Sequence, residues 1–487
     1  MKRRDWMLLG LAGGLAPGLA QAGTPGVDEP PAAGPPRPLR LPDFEEFTLG
    51  NGLRIVAAPR RRLPLVTVTV LLLAGREADP AGRAGLSAAT VELLGKGALR
   101  GGRPVGATEI VRQAEALGGT LDSGSGWRSA SLGMTVTTPR LEAALALLAD
   151  LVRRPLLEAD ELERARAQSL DALRVTLANP GAVAGLVARR IFWGDGPYAA
   201  SPTPASLQRI VRDDLQRFHE GRCRPERCIV LLAGDVDGAQ ARRLVQGRFG
   251  DWQPRAAAAP PIEPSAPAPI AQRTVLVDMP GSGQSGVVVA APFAALADAD
   301  RRIGEVANAV LGGGYSSRLN QEVRIKRGLS YGVGAGGEAQ PGGGMWSAQA
   351  QTQHATAAQV LELLRDETLR LGREAPTADE LAARQATLIG SFARRLETTA
   401  GIAAVLGSQL AQGRPLAELA RYVDEVQAVT PDQVRDFAAR HWRAESLRAV
   451  VAGDLKAAGS ALREIDDKAL VRPLEGIDLE RADLGGR

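Results

Sequence analysis

The feature that most constrains this chain is an internal repeat. Leu215 to Asp235 reads LQRFHEGRCRPERCIVLLAGD, and Val434 to Asp454 reads VRDFAARHWRAESLRAVVAGD. Laid together without a gap, Phe218 meets Phe437, Arg224 meets Arg443, and Ala233-Gly234-Asp235 meets Ala452-Gly453-Asp454. The same offset of 219 positions takes Ala159-Asp160-Glu161-Leu162 onto Ala378-Asp379-Glu380-Leu381. Two matches at one offset, well apart in the chain, argue for duplication. A period this long is outside the roughly 20–50 residues of solenoid repeats and implies a tandem pair of domains.

Composition sets the borders of the pair. Residues 23–42 and 254–269 are rich in Pro, Gly and Ala and read as an extended leader and a linker. The expected plan is an export signal (1–22), the leader (23–42), a first domain (43–253), the linker (254–269), a second domain (270–465) and a tail (466–487). The signal has Lys2, Arg3 and Arg4 ahead of a mild apolar run and ends on Ala20-Gln21-Ala22, an A-x-A cleavage pattern. Arg3-Arg4 with Trp6 and Met7 also allows a twin-arginine signal. Export to the periplasm, by either route, is the expected localisation. No other stretch offers the ~20 apolar residues needed to span a bilayer.

Within each copy the pattern is the same. Apolar, β-branched runs open it: Leu53 to Ala58 and Val66 to Leu73 in the first copy, Thr274 to Met279 and Gly286 to Ala291 in the second. Helical segments follow at Arg83 to Leu94 and Asp300 to Val310, then at Leu141 to Val152 and Ala357 to Leu371. Long helices with acidic first turns run over Asp160 to Leu177 and Asp379 to Arg395, the second with a Thr377/Glu380 capping box. A helix (213–221, 431–440) and an apolar strand (228–233, 447–452) close each copy. Interspersed strands and helices predict an α+β fold: two tandem homologous domains, each a mainly antiparallel sheet packed against helices.

The chemistry available is limited. With a formal net charge of +4 and no basic stripe with interleaved aromatics, a nucleic-acid partner is not indicated. His219, His354 and His441 are too far apart to share a helix face, so a zinc pair at i and i+4 is not available. Cys223 and Cys228 are not a CxxC pair; they are a possible disulfide or two half-buried thiols. His219, Cys223 and Cys228 could in principle supply three ligands, at no standard zinc spacing. Pro341-Gly342-Gly343-Gly344 reads as a hairpin turn, and Trp127, in a Ser-rich stretch without a nearby His, as a core or cleft residue.

The duplicated plan resembles the M16 (pitrilysin, or insulinase-like) peptidase family. LGNGLRIVAAP (Leu49 to Pro59) is similar to its opening strand, and AGREADPAGRAGLSAATVELLGKG (Ala74 to Gly97) to its metal-site helix with flanking loops. LGGGYSSRLNQEVRIKRGLSYGV (Leu311 to Val333) is similar to its C-terminal signature. Active members carry His-x-x-Glu-His, whose two imidazoles reach one metal from one helix face while the Glu activates water. Here those positions become Ala88, Val91 and Glu92, and the third ligand falls at or beside Ala172, next to Asp171. No metal is therefore expected on this chain, and zinc is expected in a partner subunit.

The resemblance further implies that Arg324 and Tyr331 bind substrate and stabilise the oxyanion in trans. The expected function is that of a non-catalytic subunit of a periplasmic zinc-peptidase heterodimer that binds peptide, probed against two rivals: a peptide-binding or scaffold protein with no catalytic role, and a self-sufficient metalloprotease with unorthodox ligands. Arg324 and Tyr331 are expected on a helix end and the strand that follows.

Overall fold

The computed structural model describes residues 41–254 and 256–485. The expected signal, and the leader up to residue 40, lie outside the described residues. Eight strands belong to the first half: β1 (Glu45–Thr48), β2 (Arg54–Pro59), β3 (Leu65–Leu72), β4 (Gly97–Arg100), β5 (Arg103–Gly106), β6 (Asp122–Ser125), β7 (Ala130–Thr137) and β8 (Cys228–Gly234). Six belong to the second: β9 (Thr274–Asp278), β10 (Ser285–Phe293), β11 (Val333–Gln340), β12 (Gly343–Thr352), β13 (Arg448–Gly453) and β14 (Leu470–Pro473). The first sheet runs β1-β2-β8-β3-β7-β6 and the second β11-β12-β10-β13-β9-β14, while β4 and β5 form a separate ribbon.

Read from opposite ends, the two sheets have one topology. The chain-end edge strand comes from before the first copy, antiparallel β1, but from after the second, parallel β14. β8 pairs in parallel with β2, and β13 with β9, whereas the hairpin pairs β6/β7 and β11/β12 are antiparallel. Every residue of β8 and β13 is buried. That is why CIVLLAG and RAVVAG read as continuous small and apolar runs rather than as alternating ones; Arg448 is the exception, held by carbonyls as described below.

The repeat is visible in three dimensions at the same offset. The helix pairs Ala159–Leu177 and Ala378–Arg395, Pro180–Trp193 and Thr399–Ala411, and Arg212–Arg222 and Pro431–His441 each begin 219 positions apart. Their contacts repeat too. Arg166 donates to the carbonyls of Leu207 and Ile210, and Gln385, its counterpart, donates to those of Val426 and Val429. The Val211 amide donates to Asp214, and the Thr430 amide to Gln433. Different side chains fill one geometry, which is why sequence identity between the copies is sparse.

One arrangement was not expected. Helix Pro180–Trp193, from the first half, packs on β10, β12 and β13 of the second sheet, while Thr399–Ala411 packs on β3 and β8 of the first. Val183, Val187, Phe192 and Trp193 are buried against Val275, Val277, Val288 and Val450. In return, the Thr399 hydroxyl lies 2.8 Å from that of Thr67, which also meets the Thr135 hydroxyl. Each half lends the helix that covers the other's sheet. The linker is also held in place: the Ala268 amide donates to the Phe192 carbonyl (2.9 Å), and Arg222 donates to the Pro260 carbonyl (2.8 Å). Buried Arg448 reaches the carbonyls of Ile191 and Ala268.

Two local expectations change. The helix expected from Arg83 begins at Leu86, because Gly85 adopts φ 105° and breaks the turn. Thr377 does cap its helix, but the Glu380 carboxylate does not close the box; it pairs with Arg318 at 2.9 Å. The Pro341–Gly344 stretch forms the turn between β11 and β12, as expected.

Candidate functional site

The first part of the site is the helix Leu86–Leu94, which is fixed at its N-terminus from outside. Both oxygens of Asp79 accept amide hydrogens, from Gly85 and Ser87, each at 2.8 Å. This meets two of the amides that a helix start leaves open. Burial pushes the Asp79 carboxyl up to about 6, against the downward pull of those amides and of Arg76. Gly85 is required twice over: its φ is left-handed, and a Cβ there would come within 3.0 Å of Leu207.

Ala88 and Glu92 sit one turn apart and face the long helix Ala159–Leu177, with Ala172 on the opposite wall. All three line one cavity of about 320 Å³, together with Leu162, Ala165 and Leu207. The fold thus brings to one place the three positions that the resemblance assigns to metal ligands. Val91 points the other way, 3% exposed in the core of the first sheet. Glu92 is engaged with Lys96 at 4.0 Å. Asp171 is exposed and pairs with Arg174. Among the described residues, no group of three or more His, Cys, Asp or Glu gathers as a metal site. One carboxylate and two methyl groups do not make the donor set of a zinc centre, which takes N, S or O from at least three side chains.

The second part of the site lies in the second half. Arg324 stands on a five-residue π-helix, Gln321–Ile325, a geometry found mostly where a side chain must be aimed. Tyr331 is not on a strand, as expected, but in the loop two residues before β11. Gly328, at φ 62°, turns the chain back so that this loop passes over Arg324. The Arg324 guanidinium carbon lies 4.7 Å from the Tyr331 ring centre and 4.5 Å from that of Tyr315. Tyr331 is 90% exposed and Tyr315 62%. The half-buried arginine is thus within cation–π distance of both rings.

Sequence reasoning missed Tyr315, and it missed the residue that arranges both tyrosines. Buried Asn320 donates to the carbonyls of Gly314 (3.1 Å) and Val333 (2.8 Å) and accepts from the Val333 amide (2.9 Å). It clasps the two loops that carry Tyr315 and Tyr331. An Asn inside a motif of small and polar residues carries no periodic signal, so only the fold reveals its role.

The remaining candidates have structural roles. Cys223 and Cys228 are both buried as free thiols, which corrects the possible disulfide. Burial pushes the Cys223 thiol up to about 12 and the Cys228 thiol up as well. His219 turns from them to the Val152 carbonyl at 2.7 Å, so the three do not gather as ligands. Trp127 lies near the junction of the halves, with the Arg76 and Arg189 guanidinium carbons 4.3 and 5.0 Å from its ring centre. Arg189 there reaches Glu338 of β11 at 2.9 Å.

Comparison with known proteins agrees with this geometry. The family described as Peptidase M16 inactive domain matches residues 209–388. An uncharacterized zinc protease of Streptomyces coelicolor is 27% identical over 398 residues, covering 80% of this chain and 85% of that protein. The non-peptidase homolog YmxG of Helicobacter pylori is 24% identical over 320 residues, covering 65% of this chain and 73% of its own. The crystal structure of a peptidase M16 inactive domain from Pseudomonas fluorescens superposes with a TM-score of 0.76 at 25% identity, covering 84% of this chain and 98% of that one. In signature, fold and relatives the chain is thus similar to the M16 peptidases, and it lacks the His-x-x-Glu-His motif.

Proposed function

We propose that this chain is the non-catalytic subunit of an exported M16 peptidase heterodimer. It binds peptide as an extended strand along β6 and presents Arg324 and Tyr331 to a zinc-bearing partner subunit. The observation that carries this reading is the Tyr315–Arg324–Tyr331 stack. A half-buried guanidinium beside two exposed tyrosines, on loops clasped by a buried Asn, is costly to maintain at a surface that meets only water.

Preorganised donors of this kind stabilise the oxyanion formed when water attacks a peptide carbonyl. β6 supports the binding half of the reading: it is the last strand of its sheet, paired with β7 alone, so its outer amides and carbonyls are placed to receive another strand. Similarity to one relative named a zinc protease and another named a non-peptidase homolog fits a division of labour within the family.

The test is to co-purify the chain with an M16 partner that has an intact motif and to follow peptide hydrolysis. Arg324→Ala in this chain should lower kcat by about 100-fold or more, the scale of losing one oxyanion donor, with the complex still assembled. Unchanged hydrolysis by both Arg324→Ala and Tyr331→Phe complexes would leave only the scaffold role.

A further inference from the structure

The cavity between the helices Leu86–Leu94 and Ala159–Leu177 is not merely the remnant of a metal site. We propose that it takes one large apolar side chain of the peptide laid along β6, so that the chain selects peptides by a hydrocarbon group. This rests on the peptide-binding reading above.

Three observations carry it. The first is size and lining. The space is about 320 Å³ and its walls include Ala88, Ala89, Leu162, Ala165, Leu173 and Ile210. An apolar cavity of about 150 Å³ already admits benzene, so a Leu, Phe or Trp side chain fits here.

The second is the state of the polar groups at its margin. Arg166 is bound to the Leu207 carbonyl (3.1 Å) and to Glu163 (2.6 Å). Glu92 faces Lys96, and the Thr176 hydroxyl donates to the Ala172 carbonyl (2.9 Å). A charged entrant would be desolvated against groups that already have partners, whereas a hydrocarbon entrant sacrifices no hydrogen bond.

The third is position. The Ser125 hydroxyl at the end of β6 is 3.2 Å from that of Ser87, one residue before Ala88. Ser123, two residues earlier on β6, projects to the same side of the sheet. A strand added to β6 therefore sends every second side chain toward this helix. On the opposite side, a space of about 370 Å³ is walled by Thr67, Thr69, Thr135, Ala403 and Gly407. The preferred peptide has a large apolar residue flanked by smaller ones.

Titration calorimetry on the purified chain tests this with nine-residue peptides of alternating Thr and Ser, blocked at both ends, carrying Phe or Ala at the centre, and with indole as a free apolar molecule. The Phe peptide should bind at least tenfold more tightly than the Ala peptide. Ala88→Leu and Ala172→Leu, both at exposed alanines of the cavity mouth, should bring that ratio below threefold while leaving the melting temperature unchanged. Equal binding of the two peptides by the wild type, or a ratio untouched by both variants, overturns the pocket and leaves peptide binding standing. Binding of indole without either peptide overturns the assigned occupant and the peptide reading together, as does binding of none of the three.

Discussion

Replacing Asn320 with Leu probes how the Arg324 stack is built. Asn320 is 5% exposed and Val333 6%. A leucine of similar size removes the donor to the Val333 carbonyl and the acceptor for its amide, leaving both groups buried without partners. Each orphaned group costs roughly 1–3 kcal/mol, so the two together cost about 2–6 kcal/mol. β11 is an edge strand, so its neighbour β12 does not supply replacements on that side. Thermal unfolding should drop by roughly 2–6 °C, at about 1 °C per kcal/mol for a chain of this size. Because the two interlocked halves need not melt in one step, hydrogen exchange is the sharper assay. Protection of the Val333 amide should fall at least tenfold while that of the β8 amides is unchanged. A melting temperature within 1 °C of wild type, with Val333 still protected, would refute the clasp.

Further outcomes follow from the same structure. An acid whose folded pKa is raised stabilises the fold below its ordinary pKa, and that contribution is lost as pH climbs through the folded value. Asp79, raised from 3.8 to about 6 by burial, therefore makes stability fall between about pH 4 and 6; Asp79→Asn should flatten that part of a melting-temperature profile. Gly328→Ala, at φ 62° with open space around it, should cost about 1–2 kcal/mol of stability through backbone strain alone, and the partner-dependent activity should fall as Tyr331 shifts off Arg324. Expressed alone, residues 41–253 and 270–485 should each be insoluble or molten by near-UV circular dichroism, and co-expression should recover a soluble complex. Val183, Val187, Phe192 and Trp193 bury ~1.5–3 kcal/mol each against the other half's sheet, a sum comparable to the whole stability of a domain.

Much of the fold was legible because the repeat carried its own control: a pattern seen twice at one offset is hard to misread. Helix starts at Asp160 and Asp379, one residue inside the observed Ala159 and Ala378, followed from acidic first turns, and the central strands from apolar runs such as CIVLLAG. The exchange of covering helices was not legible. Periodicity shows that Pro180–Trp193 has an apolar face, but not which sheet that face meets. That Ala88 and Glu92 share a face was readable because they are one turn apart in the sequence, and helix geometry does the rest. Spacing alone left a bridge and two thiols both open, because it does not show that Cys223 ends a helix while Cys228 opens a buried strand. Tyr315, Asn320 and Asp79 act across turns, where no period exists to betray them.

The most direct test of the central claim is a zinc count on the purified chain and on its complex with a motif-bearing M16 partner. The account predicts no bound zinc on the chain alone, one per heterodimer, and none once the partner's two histidines are replaced. A stoichiometric zinc on this chain by itself, removed by chelator together with peptide-cleaving activity, would contradict it.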